Sequence, residues 1–139
     1  MLDDDSRRLG SMQVVLDRDF GDYLVVLHDS APDMLAWLKK SWDEVCLLSL
    51  DHDLGPSRND GTFEPGTGAD VSRFLLTRTP AFPVILHSSN PMAVQGMESD
   101  LLGAGWVVTR VTPYFDLEWI ERDWRAAGLR ALGIPVNLP

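Results

Sequence analysis

The chain is governed by an alternation. Short apolar runs rich in β-branched residues alternate with stretches whose apolar residues recur every three or four positions. The runs Tyr23–Leu27, Val45–Leu50, Pro83–Leu86 and Trp106–Val111 read as buried strands. Met1-Leu2, running into Asp3-Asp4-Asp5, reads as the stub of another. Between them, Leu9, Met12, Leu16 and Phe20 predict a helix over residues 6–20. Gly10 weakens that helix by about 1 kcal/mol, and Met12–Leu16 also reads as a strand ending in Asp17 and Asp19, but the helical stripe is the better fit. Met34, Leu35, Leu38 and Trp42 give a second stripe, with Ser30 as N-cap and Pro32 in the first turn. Val71, Phe74 and Leu75 mark a third. Val94, Met97 and Leu101 line a fourth that starts at Asn90-Pro91 and stops at Gly103 or Gly105. Leu117, Ile120 and Trp124 line a fifth, capped by Asp116. Such alternation predicts a parallel sheet with helices on both faces. From Gly128 onward the sequence reads as a loosely attached tail, so the expected division is a domain over 1–127 and a tail over 128–139.

The 139 residues suffice for one domain with its own core. Net charge is −9, which argues against broad electrostatic binding of long duplex DNA, since that needs a basic surface. No apolar run approaches the ~20 residues of a membrane span, and acids rather than a basic, apolar leader follow Met1-Leu2. A cytoplasmic protein away from membranes is the expectation. The single Cys46 reads as a small buried hydrophobe. Trp37, Trp42, Trp119 and Trp124 read as packing residues, and His28 as structural or exposed.

In open parallel sheets ligands bind at the carboxyl ends of the strands. Polar clusters fall at those ends here: Asp3 to Asp5, Asp51-His52-Asp53, His87-Ser88-Ser89, and Thr112. Close carboxylates resist joint ionisation, so Asp51 and Asp53 beside His52 are costly for a mere turn. A divalent metal or a phosphoryl-transfer site explains them. The polar stretch Gly55–Gly68 next to them is long enough for a lid over a ligand.

Together these positions resemble the receiver domain of response regulators. Asp3 and Asp4 match its acidic pair, Asp51 its phosphoacceptor, and Asp53 the position that lends a backbone carbonyl to Mg²⁺. Ser88 matches its switch hydroxyl, and Thr112-Pro113 its Lys-Pro. The receiver lysine is therefore a threonine here, with Arg110 or Arg7 as candidate replacements. The strings Leu2-Asp3-Asp4-Asp5, Ser49 to Gly55 and His87-Ser88-Ser89-Asn90-Pro91 are similar to a narrower group, the cyclic-phosphate processing receiver domains. The resemblance spans roughly Met1 to Trp124. It implies a flavodoxin-like three-layer α/β/α fold with five parallel strands in the order 2-1-3-4-5. It also implies handling of cyclic phosphates in nucleotides or RNA ends, and allows a homodimer through strands four and five.

The chemistry expected is Mg²⁺- or Mn²⁺-dependent hydrolysis of a cyclic phosphate. Carboxylates suit these cations, with Asp3, Asp4, Asp51 and Asp53 as the expected ligands. Histidine titrates in the useful range, so Asp51, His52, His87 and Ser88 are the expected catalytic set. Ser89, Asn90, Arg110 and Thr112 are the expected contacts to a small phosphorylated ligand. Two rival readings use the same residues: a signalling receiver phosphorylated on Asp51, and a cyclic-nucleotide sensor without catalysis.

Overall fold

A computed structural model describes residues 1–55, 63–114 and 116–136. It is an α/β domain built on a parallel sheet of three strands: β1 (Leu48–Leu50), β2 (Val84–His87) and β3 (Val108–Val111), in that order. Ser49 pairs with Ile85, and Ile85 with Thr109. Among the described residues, five α-helices surround it: α1 (Ser6–Asp19), α2 (Ala31–Ser41), α3 (Gly68–Leu75), α4 (Pro91–Gly103) and α5 (Arg125–Ala131). The expected helix starts are present. Ser30 Oγ accepts from Asp33 N, Asn90 Oδ1 accepts from Ala93 N, and a proline follows each cap in the first turn.

Side chains alternate across a strand, and the core divides accordingly. Leu48, Leu50, Val84 and Leu86 pack with Met34, Leu38, Val71, Leu75, Val94 and Leu101 of α2, α3 and α4. Ile85 and Val111 pack on the opposite side with Met12, Val15 and Leu16 of α1 and with Trp119, Ile120 and Trp124. The latter three belong to a turn of π-helix, Ile120–Trp124, and its approach. Its wider winding brings side chains five apart in sequence onto one face. Ion pairs join this turn and α5 to the end of α1: Asp19 to Arg125 at 2.8 Å and Arg18 to Glu121 at 2.7 Å.

Several expectations need correction. Two of the five expected strands form no ladder among the described residues. Met1–Asp3 is held by single parallel bridges from Leu2 to His28 and to Leu50. Its backbone is nevertheless bonded on both sides, Leu2 N to Ser49 O at 2.9 Å and Asp3 N to His28 O at 3.1 Å. The stretch 23–27 forms no ladder, and Leu24 lies 90% exposed. On that side Met1 N donates to Val26 O at 2.7 Å and His28 N to Met1 O at 2.9 Å, but only Leu2 and His28 complete a bridge. The other strands are shorter than their apolar runs; β1 starts at Leu48 rather than Val45, and β3 at Val108 rather than Trp106. Cys46 lies in the part of its run outside β1 and is exposed. His87 is the last residue of β2, not the first residue after it. The start of the expected tail is packed: α5 continues to Ala131, and Gly128 and Leu129 are buried, Leu129 against the α1 side of the core. The lid expected over 55–68 falls largely on 56–62, outside the described residues. Its two ends are joined, with Asp53 bridged to Thr67 and Gly68 N donating to His52 O at 3.0 Å.

Gly68 starts α3 hard against the end of β1. A Cβ there would lie 2.1 Å from the carbonyl oxygen of Asp51. Gly68→Ala is therefore expected to cost about 2–3 kcal/mol, because backbone must move to relieve the clash. Gly10 and Gly96 are helical glycines with open space around them. Their alanine variants should each gain about 0.5–1 kcal/mol. Urea unfolding of the three variants measures both signs.

Candidate functional site

The residue that brings the carboxyl-end acids together is Leu2. Its bridge to Leu50 sets Asp3 and Asp4 beside Asp51 at the end of β1. One oxygen from each of these three carboxylates lies within 4.8 Å of the others. Asp3 and Asp51 are 1% and 2% exposed, while Asp4 is half-buried. Hard oxygen ligands at this spacing, two of them shielded from water, suit a divalent cation. Asp53 is not in the cluster: its carboxylate is exposed and accepts from Asn90 Nδ2 at 3.4 Å.

Each acid accepts from a backbone N–H. His52 N donates to Asp51 Oδ1 at 2.7 Å, Gly55 N to Asp4 Oδ2 at 2.5 Å, and Asp5 N to Asp3 Oδ1 at 2.9 Å. The counter-charge comes from Arg8, one turn into α1. Its guanidinium pairs with Asp3 at 2.9 Å, contacts Asp51 directly, and lies 3.8 Å from Asp4. Sequence reading offered Arg7 or Arg110 for this role. Arg110 instead points to Glu98 of α4 at 4.0 Å, and Thr112 is exposed on a separate groove with Arg122, Arg125 and Arg130. Neither is brought to the acids. The available signal for Arg8 was its helical spacing: on a helix that follows Asp3 to Asp5 directly, a residue four or five positions on returns over the acids.

The two histidines part company. His87 is fully buried. Its Nε2 is 3.0 Å from Asp3 Oδ2 and its Nδ1 is 3.0 Å from Ser49 Oγ. Trp124 Nε1 donates to that same oxygen at 2.9 Å, and the ring stacks on Trp119 at 6.0 Å. An indole only donates. Ser49 Oγ thus accepts from Trp124, and its contact with His87 Nδ1 continues the chain to Asp3 through Nε2. His52 instead stands at the site's mouth, with Nδ1 2.7 Å from Asp53 Oδ1. Asn90, Asp53 and His52 form a second chain, so the sequence's neighbouring acid and histidine act on each other. Ser88 is buried and accepts from Asn90 N at 3.3 Å. Ser89 is exposed and borders a cleft of about 460 Å³ beside Arg8, together with Asp5, Arg7, Pro113, Tyr114, Leu117 and Trp119.

The electrostatics of the two buried acids are opposite. Burial pushes the Asp51 carboxyl above the ordinary range, against the pull of His87 and Arg8. Burial also pushes on Asp3, but hydrogen bonds from His87 and Arg8 overcome it and hold that carboxyl below the ordinary range. Burial disfavours the Arg8 charge, yet its bonds to Asp3 and the field of Asp51 raise its pKa on balance.

These directions fix the signs of a pH experiment. Asp3 stabilises the fold above the ordinary aspartate pKa, and that contribution is lost as pH falls through its lowered value. Asp51 behaves oppositely: its ionisation costs stability, which declines as pH rises from the ordinary value through its raised one. Asp51→Asn should therefore melt a few degrees higher than wild type at neutral pH in chelator. The gap should close below the ordinary aspartate range. Calorimetric melts across pH read it directly.

Residues 1–102 match the cyclic-phosphate processing receiver domain, a span that includes Asp3, Asp4, Arg8, Asp51, His52, His87 and Asn90. No curated protein and no solved structure matches the chain. Among the described residues no helix is long and apolar enough to cross a membrane. With the match covering most of its length and all three clustered acids, the chain belongs to the cyclic-phosphate processing receiver domain family.

Proposed function

We propose that the protein hydrolyses a cyclic phosphodiester, in a nucleotide or at an RNA end, at the carboxyl edge of its sheet with Mg²⁺ or Mn²⁺ held by Asp3, Asp4 and Asp51. The carrying observation is the convergence of these three carboxylates within 4.8 Å. When bound, such a cation polarises a phosphoryl oxygen and neutralises charge on the phosphate. Arg8 supplies a fixed positive charge at the same spot, in the place that a receiver's lysine would serve. Water adds to phosphorus and one ring P–O bond breaks, so a proton must leave the water and another reach the departing oxygen. His52 is the group available for one of those transfers. Asp53 holds its Nδ1, leaving Nε2 for the reaction, in the manner of a carboxylate-oriented catalytic imidazole. His87 has both ring nitrogens engaged inside the core, so we assign it to positioning Asp3. The two Leu2 bridges also support the five-strand order 2-1-3-4-5, with Met1–Asp3 between the stretch at His28 and β1.

One observation favours a second reading. Arg8 at Asp51 restores the cation that the threonine at 112 removes, which suits Asp51 as a phosphoacceptor in signalling. Labelling of Asp51 by a small phosphodonor would favour that reading.

A panel of 2′,3′-cyclic nucleotides, RNA with cyclic ends and cyclic dinucleotides, with Mg²⁺, Mn²⁺ or EDTA, tests the first. Metal-dependent opening of at least one substrate is expected; neither turnover nor binding across the panel would sink it. Mg²⁺ should also raise the melting temperature of wild type, by binding only the folded chain, and do so far less for Asp51→Asn.

The histidines separate in a third measurement. His52→Ala should lower turnover by about 10²–10⁴-fold with Mg²⁺ affinity kept. His87→Gln should weaken Mg²⁺ affinity by about 10–100-fold. Full turnover in the His52 variant would refute its role.

A further inference from the structure

The acidic cluster accounts for a phosphate and nothing larger. Beside it lies the cleft of about 460 Å³, within the range of small-molecule sites and much roomier than a bare phosphate needs. Its two sides differ in chemistry. One part of its lining is Arg7 and Arg8 at the start of α1, with Asp5, whose carboxylate caps that helix, and Ser89 after the end of β2. The other is Pro113, Tyr114 and Leu117, backed by the buried Trp119.

Arg7 is the telling residue. Arg8 is spent on Asp3 and Asp51. Arg7 precedes it on the helix, is exposed, and has no carboxylate partner among the described residues. In a chain of net charge −9, an unpaired guanidinium at the rim of a cleft is the local exception. A guanidinium grips phosphate oxygens through a planar fork of donors. An apolar and aromatic wall accepts the face of a planar ring, whatever its identity. A phosphate and a ring at opposite ends of one ligand describe a nucleotide.

We infer that this cleft is the nucleotide subsite of the protein, with Arg7 holding a phosphate oxygen and Tyr114 and Leu117 packing on the base. The inference rests on the cyclic-phosphate reading of the acidic cluster and names the part of the ligand that the cluster leaves unrecognised. The shared chemistry is a nucleoside cyclic phosphate, either free or as the last residue of an RNA strand. The cleft shares Tyr114 with the groove lined by Arg110, Arg122, Arg125 and Arg130.

The test is calorimetric titration of the full chain with adenosine 2′,3′-cyclic phosphate, with a short oligoribonucleotide ending in the same group, and with inorganic phosphate. Wild type, Arg7→Ala, Arg7→Glu and Leu117→Ala are compared, with Mn²⁺ titrations and melts alongside. Arg7→Ala should weaken nucleotide affinity about tenfold, the loss of one charged hydrogen bond, and Arg7→Glu more. Leu117→Ala should weaken the nucleotide and leave inorganic phosphate unchanged. Mn²⁺ affinity and melting temperature should hold in the Arg7 variants. Tighter binding of the oligoribonucleotide than of the mononucleotide would assign the ligand to RNA ends, and equal binding to free nucleotides. Nucleotide affinity unchanged in Arg7→Glu and Leu117→Ala overturns the subsite while leaving the hydrolysis reading standing. Arg7-dependent binding without turnover upholds the subsite and removes the hydrolysis reading. No nucleotide binding by wild type overturns the subsite outright.

Discussion

Asp3 and Asp51 put two carboxylates side by side out of water, and the guanidinium of Arg8 between them makes that arrangement tolerable. Unpaired, two buried like charges would drive at least one acid to its neutral form. The pairing only half succeeds. Asp3 gains enough from Arg8 and His87 to stay readily ionised, whereas Asp51 remains strained towards protonation. An acid poised in this way gains more from an added cation than a relaxed one does. The site's cost to the fold and its fitness for a metal therefore have one origin.

Much of the core serves that cluster. Trp124 holds Ser49, Ser49 holds His87, and His87 holds Asp3. The relay runs from the C-terminal helical segment through β1 and β2 to the first residues of the chain. It explains how Ser49, His87 and Asp3 are buried together: each is satisfied by the next. The packing of the π-helical turn thereby bears on the geometry of a carboxylate at the carboxyl edge of the sheet.

The helices were legible because their stripes, caps and prolines are local signals. Ser30, Asn90 and the spacing of Val94, Met97 and Leu101 act within a turn or two of themselves. The strands were legible as apolar runs but not in their limits. A strand ends where its neighbour stops offering hydrogen bonds, which is why 23–27, β-branched and apolar as it is, forms no ladder beside the single bridging residue Leu2. The stretch from Gly128 looked loose because small and apolar residues carry no helical stripe there. Its burial comes from fitting a surface: a Cβ on Gly128 would lie 2.9 Å from the Phe20 ring.

By itself the sequence determined the α/β class, the helix starts and the gathering of Asp3, Asp4 and Asp51 at strand ends, since periodicity, capping and the parallel-sheet rule fix which end of each strand is polar. Only the tertiary structure decided what each of those residues does. Arg8 rather than Arg110 supplies the counter-charge because α1 folds back over the acids while β3 turns Arg110 towards α4. His52 and His87, both placed at strand ends in the linear pattern, differ because one lies past the end of β1 and the other on the inward face of β2. Burial is a property of the assembled layers, and it makes one histidine a support for Asp3 and leaves the other at the surface of the site.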